Sequence, residues 1–277
     1  MSDRVIVVIG TGGMGEHIAR RQGPGSKLVI ADFSESALER VTLALSGDGY
    51  DVEPIVVDVA ARKSVIALAE ASAALGAVTQ VIHTAGLSPA QATADAILKV
   101  DLAGVAFVLD EFGAVVAPGG AGVVIASMAG TMGVGRFPAE LEAALATTPS
   151  DELLGLPFWS DSAFADPGSA YSVAKRGNQL RVQAASATWG ARGARINSIS
   201  PGVISTAMGR KELNGAAGEQ MRSMIEASGT KRVGTPSDIA GAAAFLLGPD
   251  ASFITGTDLL VDGGVIAAVR SGRLVLG

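Results

Sequence analysis

Tyr171-Ser172-Val173-Ala174-Lys175 puts a phenol and a primary amine four residues apart. On a helix that spacing sets both side chains on one face. An ammonium beside a phenol favours the phenolate, lowering a pKa that is ordinarily about 10 toward the working range, so such a pair can pass a proton near neutral pH. The same spacing also arises by chance, with a surface lysine beside a half-buried ring. Ser127 closes the run Ile125-Ala126-Ser127 and offers a hydroxyl to a substrate oxygen; taken alone it is equally a turn residue.

A second constellation lies near the N-terminus. Gly10, Gly12 and Gly15, in Gly10-Thr11-Gly12-Gly13-Met14-Gly15, satisfy G-x-G-x-x-G between a predicted strand and a predicted helix. Glycine permits the tight turn and the approach of backbone to a pyrophosphate, and the helix N-terminus supplies N–H donors. A plain strand-to-helix turn would also use glycine, and the surrounding βαβ pattern is what favours the nucleotide. Asp32-Phe33 ends the second strand about 20 residues after Gly10, where a carboxylate accepts bonds from ribose hydroxyls and repels a 2′-phosphate. No Arg or Lys stands in the glycine loop or directly after Asp32, which points to NAD(H) over NADP(H). The competing role for Asp32 is an N-cap for the helix beginning near Ser34. Asp58-Val59 and Thr84-Ala85-Gly86 end the third and fourth strands, where adenosine would lie unless they only cap and turn.

These groups need a frame. β-branched runs at residues 5–9, 28–31, 52–57, 80–84, 123–126 and 195–199 alternate with Ala-rich helical stretches at 16–22, 35–45, 63–75, 92–116 and 172–189. Continuous apolar strands alternating with helices predict an α/β fold: one Rossmann domain, a doubly wound parallel sheet with helices on both faces and its ligand at the carboxyl ends of the strands. Hydrophobic residues make up 48% but aromatics only 4%, so Ala, Val, Leu and Ile must build the core. The net charge of −6 with no basic run gives no nucleic-acid footprint, and the lack of cysteine excludes disulfides and thiol catalysis. His17 and His83 have no partners at metal-ligand spacing, and no metal is expected. Residues 5–9 are too short for a signal-peptide core or a membrane span, so a soluble cytoplasmic protein with no membrane partner is expected. Residues 134–168 break the rhythm with Phe137, Phe158, Trp159 and Phe164. This insertion, with a short helix expected at 139–146, reads as a surface excursion on its own base or as a lid over the site. Its place between Ser127 and Tyr171 favours the lid.

Together these motifs resemble the short-chain dehydrogenase/reductase family over nearly the whole chain outside the insertion. The resemblance continues through Asn197-Ser198-Ile199-Ser200-Pro201-Gly202, Thr206, Arg232-Val233-Gly234-Thr235-Pro236, Ile254-Thr255-Gly256 and Val261-Asp262-Gly263-Gly264. It implies hydride transfer between a nicotinamide and a carbinol carbon, with Tyr171 exchanging the proton and Ser127 polarising the oxygen. Lys175 would bind the nicotinamide ribose, and Pro201, Gly202, Val203 and Thr206 would contact the nicotinamide. It also implies a small alcohol or ketone substrate and a homodimer or homotetramer.

Three features depart from the family pattern. The glycine loop is one residue short. Asp101 stands where the family places an Asn that helps hold a water connected to the lysine, and completes the catalytic set. The gap between Ser127 and Tyr171 is long, as in the bacterial 3α-hydroxysteroid dehydrogenase/carbonyl reductase subgroup, which the tail at 263–270 also resembles. That subgroup implies a hydrophobic, steroid-like alcohol or ketone. The rival functions are a catalytically silent NAD-binding regulator and a nucleotide-sugar epimerase or dehydratase. The first is disfavoured by intact Ser127, Tyr171 and Lys175. The second is disfavoured by the lack of a larger substrate domain after Lys175.

Overall fold

The computed structural model describes residues 3–275. Strands β1 (Arg4–Ile9), β2 (Lys27–Asp32), β3 (Asp51–Val56), β4 (Ala77–His83), β5 (Ala121–Ile125), β6 (Arg195–Pro201) and β7 (Asp258–Val261) form one sheet in the order β3-β2-β1-β4-β5-β6-β7. Every pairing is parallel. The order reverses between β1 and β4, which opens a crevice at their carboxyl ends. The helices are α1 (Gly13–Gln22), α2 (Glu35–Gly47), α3 (Arg62–Leu75), α4 (Ala94–Ile97), α5 (Gly104–Val115), α6 (Met128–Met132), α7 (Ala139–Thr147), α8 (Pro167–Ala191), α9 (Ala207–Leu213), α10 (Gly218–Ala227), α11 (Pro236–Leu247) and α12 (Val265–Arg270).

The apolar β1 run follows from burial on both sides. Val5, Val7 and Ile9 face a core shared with α3, α5 and α8. Ile6 and Val8 face one shared with α1, α2 and α11. Small side chains let the layers approach: a Cβ on Gly122 of β5 would lie 2.5 Å from Ile196 and 2.8 Å from the Trp189 ring. The indole N–H of Trp189 is satisfied by the Leu109 carbonyl at 3.1 Å.

The helix expected at 92–116 is instead α4, a π-helical turn (Leu98–Ala103) and α5. Asp101 lies in that wider turn, a device common at functional sites. The insertion forms α7, close to its expected place, and then three short 3₁₀ turns. Leu141, Leu145 and Leu153 are buried against Ile97, Leu102 and Val173, each contributing roughly 1.5–3 kcal/mol by burial. Arg181 of α8 donates to the carbonyls of Leu145 at 3.1 Å and Thr148 at 2.9 Å and to Ser150 Oγ at 2.9 Å. The first half of the insertion is therefore bolted to its own chain, as a surface excursion would be. The second half turns toward Tyr171.

Candidate active site

Local packing brings the separated residues together. Thr11, buried in the glycine loop, donates its N–H at 2.7 Å and its hydroxyl at 2.8 Å to Asp32 Oδ2. The other oxygen, Oδ1, accepts the Ser34 N–H at 2.9 Å. Asp32 thus ties the short loop to β2. The N-cap of α2 is Ser34, whose hydroxyl accepts the Ala37 N–H, so the capping role considered for Asp32 falls to its neighbour. Gly10 adopts φ +95°, and a Cβ there would lie 2.4 Å from the Ala85 nitrogen. A Cβ on Gly15 would meet the Gly10 carbonyl at 1.9 Å, which explains the third glycine by helix–strand contact.

A cleft of about 610 Å³ opens over this loop. Of the sequence-selected residues, Gly10, Gly12, Gly13, Met14, Asp32, Phe33, Asp58, Val59, Thr84, Ala85, Gly86 and Thr206 line it. Thr11 and Gly15 lie behind the lining. Gly202 packs on Asp262, where a Cβ would sit 2.7 Å from its Cα, and Val203 is buried. Pro201 and these two residues are absent from the cleft wall, and their stretch of chain reaches it through Thr206, Ala207 and Met208. Sequence reasoning missed Leu87 and Val100, each of which directly adjoins a residue it selected.

The cleft meets the side chains of Asp101 and Lys175 at Gly86. A Cβ there would stand 3.2 Å from Asp101 Oδ2 and 3.3 Å from Lys175 Nζ. Lys175 Nζ lies 5.4 Å from the Tyr171 ring centroid. Ser127 caps α6, its Oγ accepting the Ala129 N–H at 3.1 Å. Gly130 lets α6 touch the α8 backbone, where a Cβ would be 2.7 Å from the Lys175 carbonyl carbon. That contact packs α6, which Ser127 caps, against α8, which carries Tyr171.

The electrostatics differ from the expectation of a depressed Tyr171 pKa. Burial, foremost, raises the phenol above its ordinary value. Lys175 and Ser127 pull it down, while Asp101 and Glu212 push it up. Burial works against the Lys175 ammonium, yet Asp101 and Tyr171 outweigh it and hold the lysine above its usual range. Burial raises Asp101 against the pull of Lys175 and the Leu87 N–H.

A short-chain dehydrogenase family model matches residues 4–139, and a model described as enoyl-(acyl carrier protein) reductase matches 153–266. The chain is 44% identical to a short-chain dehydrogenase/reductase of Alternaria brassicicola over 96% of its own length and 97% of that protein's. The chain belongs to the short-chain dehydrogenase/reductase family. The chain is also 30% identical to the D-threitol dehydrogenase of Mycolicibacterium smegmatis, covering 95% of this chain and 93% of the relative. Its fold matches the 3-alpha-hydroxysteroid dehydrogenase of Pseudomonas sp. B-0831, solved with NADH, at a TM-score of 0.76 and 24% identity, over 96% and 98% of the two chains.

The cleft fits the family's nicotinamide dinucleotide. Nothing lies within 4 Å of a Cβ built on Gly12, although Gly12 lines the cleft. No neighbouring protein atom demands a glycine there, and the open space is where a pyrophosphate would press on the backbone. Among the described residues no cluster suited to a metal ion is found, and no helix is long and apolar enough to cross a membrane.

Proposed function

We propose that this dehydrogenase uses NAD(H) to interconvert a secondary alcohol and a ketone. The observation that carries the reading is Lys175 at the Gly86 end of a cleft floored by the glycine loop, with the Tyr171 ring beside it on α8 and Ser127 on the helix packed against α8. The bound dinucleotide supplies or accepts a hydride. Tyr171 gives a proton to the substrate oxygen in reduction and takes it back in oxidation. Ser127 positions that oxygen. Lys175 holds the nicotinamide ribose and stabilises the phenolate. Asp32, with no basic neighbour to receive a 2′-phosphate, supports NAD(H). Phe33, 74% exposed beside the cleft, is placed to cover the adenine. A regulator without catalysis would have no use for the three assembled groups.

The substrate wall comes from the insertion. Phe137, Phe158, Trp159 and Phe164 pack with Tyr171 on one apolar cluster. Trp159 meets Phe164 edge-on at 5.7 Å. These rings favour a hydrophobic, steroid-like substrate and a lid that sheds water around the reacting carbon. Relatives named as dehydrogenases of D-threitol and of 7alpha-hydroxysteroids support an alcohol substrate. The working form we infer is a homodimer or homotetramer, as the resemblance implied. The test is a panel of secondary alcohols and ketones, polyol to steroid, assayed with NAD(H) and NADP(H). Turnover with NAD(H) and an apolar ketone supports the reading, and no turnover with any member contradicts it.

A further inference from the structure

The buried lysine is paired before any ligand arrives. Asp101 Oδ2 lies 3.3 Å from Lys175 Nζ, with the side chains 0% and 5% exposed. Asp101 Oδ1 accepts the Leu87 N–H at 2.8 Å, and Lys175 also donates to the Ile125 carbonyl at 3.3 Å. Oδ2 has no well-formed hydrogen bond among the described residues, so the Lys175 charge is what compensates it. An amide at position 101 could accept the Leu87 N–H but would leave the ammonium facing Tyr171 with its charge uncancelled.

Of the other groups around Tyr171, Glu212 acts in the same sense as Asp101, and Ser127 acts against it through a hydrogen bond. Glu212, half-buried on α9, adds a second negative charge, while Ser127 carries no charge and leaves the ion pair as the group that sets the balance of charge. His83, on β4 beneath Lys175, is held down to about 3 by burial and then by the lysine, so it carries no charge at working pH.

We propose that Asp101 is a positioning residue that cancels the Lys175 charge, keeps Tyr171 a phenol in the cofactor-free protein, and so equips the site to protonate a carbonyl oxygen. The inference rests on Tyr171 being the acid–base group. In reduction the Tyr171 O–H bond breaks and its proton goes to the substrate oxygen, while the carbonyl carbon gains a C–H bond from the hydride of the reduced nicotinamide. The phenolate left behind, beside Lys175, recovers its proton from water. Oxidation of the alcohol needs the phenolate first, and so is fast only at alkaline pH.

The chain has two tyrosines, and a Tyr50→Phe background leaves Tyr171 as the sole phenol. Phenolate absorbance is titrated in the full-length, cofactor-free protein, with and without Asp101→Asn. In the parent, Tyr171 should ionise above the ordinary value of about 10. Asp101→Asn should lower that midpoint by about one unit or more, and move the alkaline limb of kcat/KM for alcohol oxidation the same way. Glu212→Gln should lower the midpoint by less, because the ion pair survives. A parent that ionises below 10 overturns the proposal even if Asp101→Asn does not fold, and so does a folded Asp101→Asn protein with an unmoved midpoint. Tyr171→Phe separates the two failures. If it retains turnover, the acid–base reading itself falls; if it is inactive while the Asp101→Asn midpoint stays put, only the role of Asp101 falls.

Discussion

Thr11 gives both its backbone N–H and its hydroxyl to a single oxygen of Asp32, at 2.7 and 2.8 Å. The carboxylate that would face a ribose is therefore also the clamp of the glycine loop. Asp32→Ala should narrow the preference for NADH over NADPH and lower stability by about 1–3 kcal/mol, as charged hydrogen bonds are lost. Thr11→Val should cost stability while leaving the preference, because the negative charge remains. Fluorescence titration with both reduced cofactors, alongside thermal melts, separates the two effects. Equal affinity of the parent for NADH and NADPH would remove the specificity argument.

Gly130 controls a different approach. A methyl group there must push α6 away from the Lys175 backbone, carrying Ser127 with it. Gly130→Ala should cut kcat by about 10–100-fold, since misplacing a reacting group by about 1 Å has costs of that order. NADH affinity should change much less, because the glycine loop lies on other elements. Steady-state kinetics with a cofactor titration would show it, and an unchanged kcat would mean that Ser127 is not held by this contact.

Much of this site was legible in the sequence because its signals are local. Tyr171 and Lys175 are one helical turn apart, and Gly10 to Gly15 fall within one strand–turn–helix. The family resemblance linked Asp101 to the lysine only through a water; the direct Asp101–Lys175 ion pair was not legible, because it joins a π-helical turn to a helix far along the chain and no spacing encodes it. The same turn broke the continuous helix expected at 92–116. Strand β7 was missed because its four residues are all only half-buried and begin with Asp258, whose side chain bonds Ser198 and Ser200 and interrupts the apolar pattern. Helices α9 and α12 were missed too, since they are only 7 and 6 residues long and show too few turns for a period to emerge, and α10 and α11 were passed over although they are 10 and 12 residues long. The insertion defeated a single reading because its two halves differ: Leu141 and Leu145 pack inward on α8, while Phe158 and Trp159 stay half-buried near Tyr171.

Trp159 tests the lid. Its indole N–H donates to the Leu153 carbonyl at 2.7 Å, so the ring is held by the anchored half of the insertion. Trp159→Ala should raise KM for an apolar ketone about tenfold and leave the oligomer intact. In a Trp189→Phe background, Trp159 emission should shift when NAD and substrate bind. Unchanged KM and kcat together with a dissociated oligomer would make the insertion an interface instead.

On the proposed function the hydroxyl of Tyr171 carries the proton in a nicotinamide-dependent reaction. The direct measurement compares NADH oxidation by the parent and by Tyr171→Phe on the same ketone, with NADH affinity determined in parallel. The phenylalanine variant keeps the ring and loses only the ionisable group. Turnover should fall by at least about 10²–10⁴-fold with NADH binding retained. A variant that binds NADH and turns over at a rate near that of the parent would contradict that role.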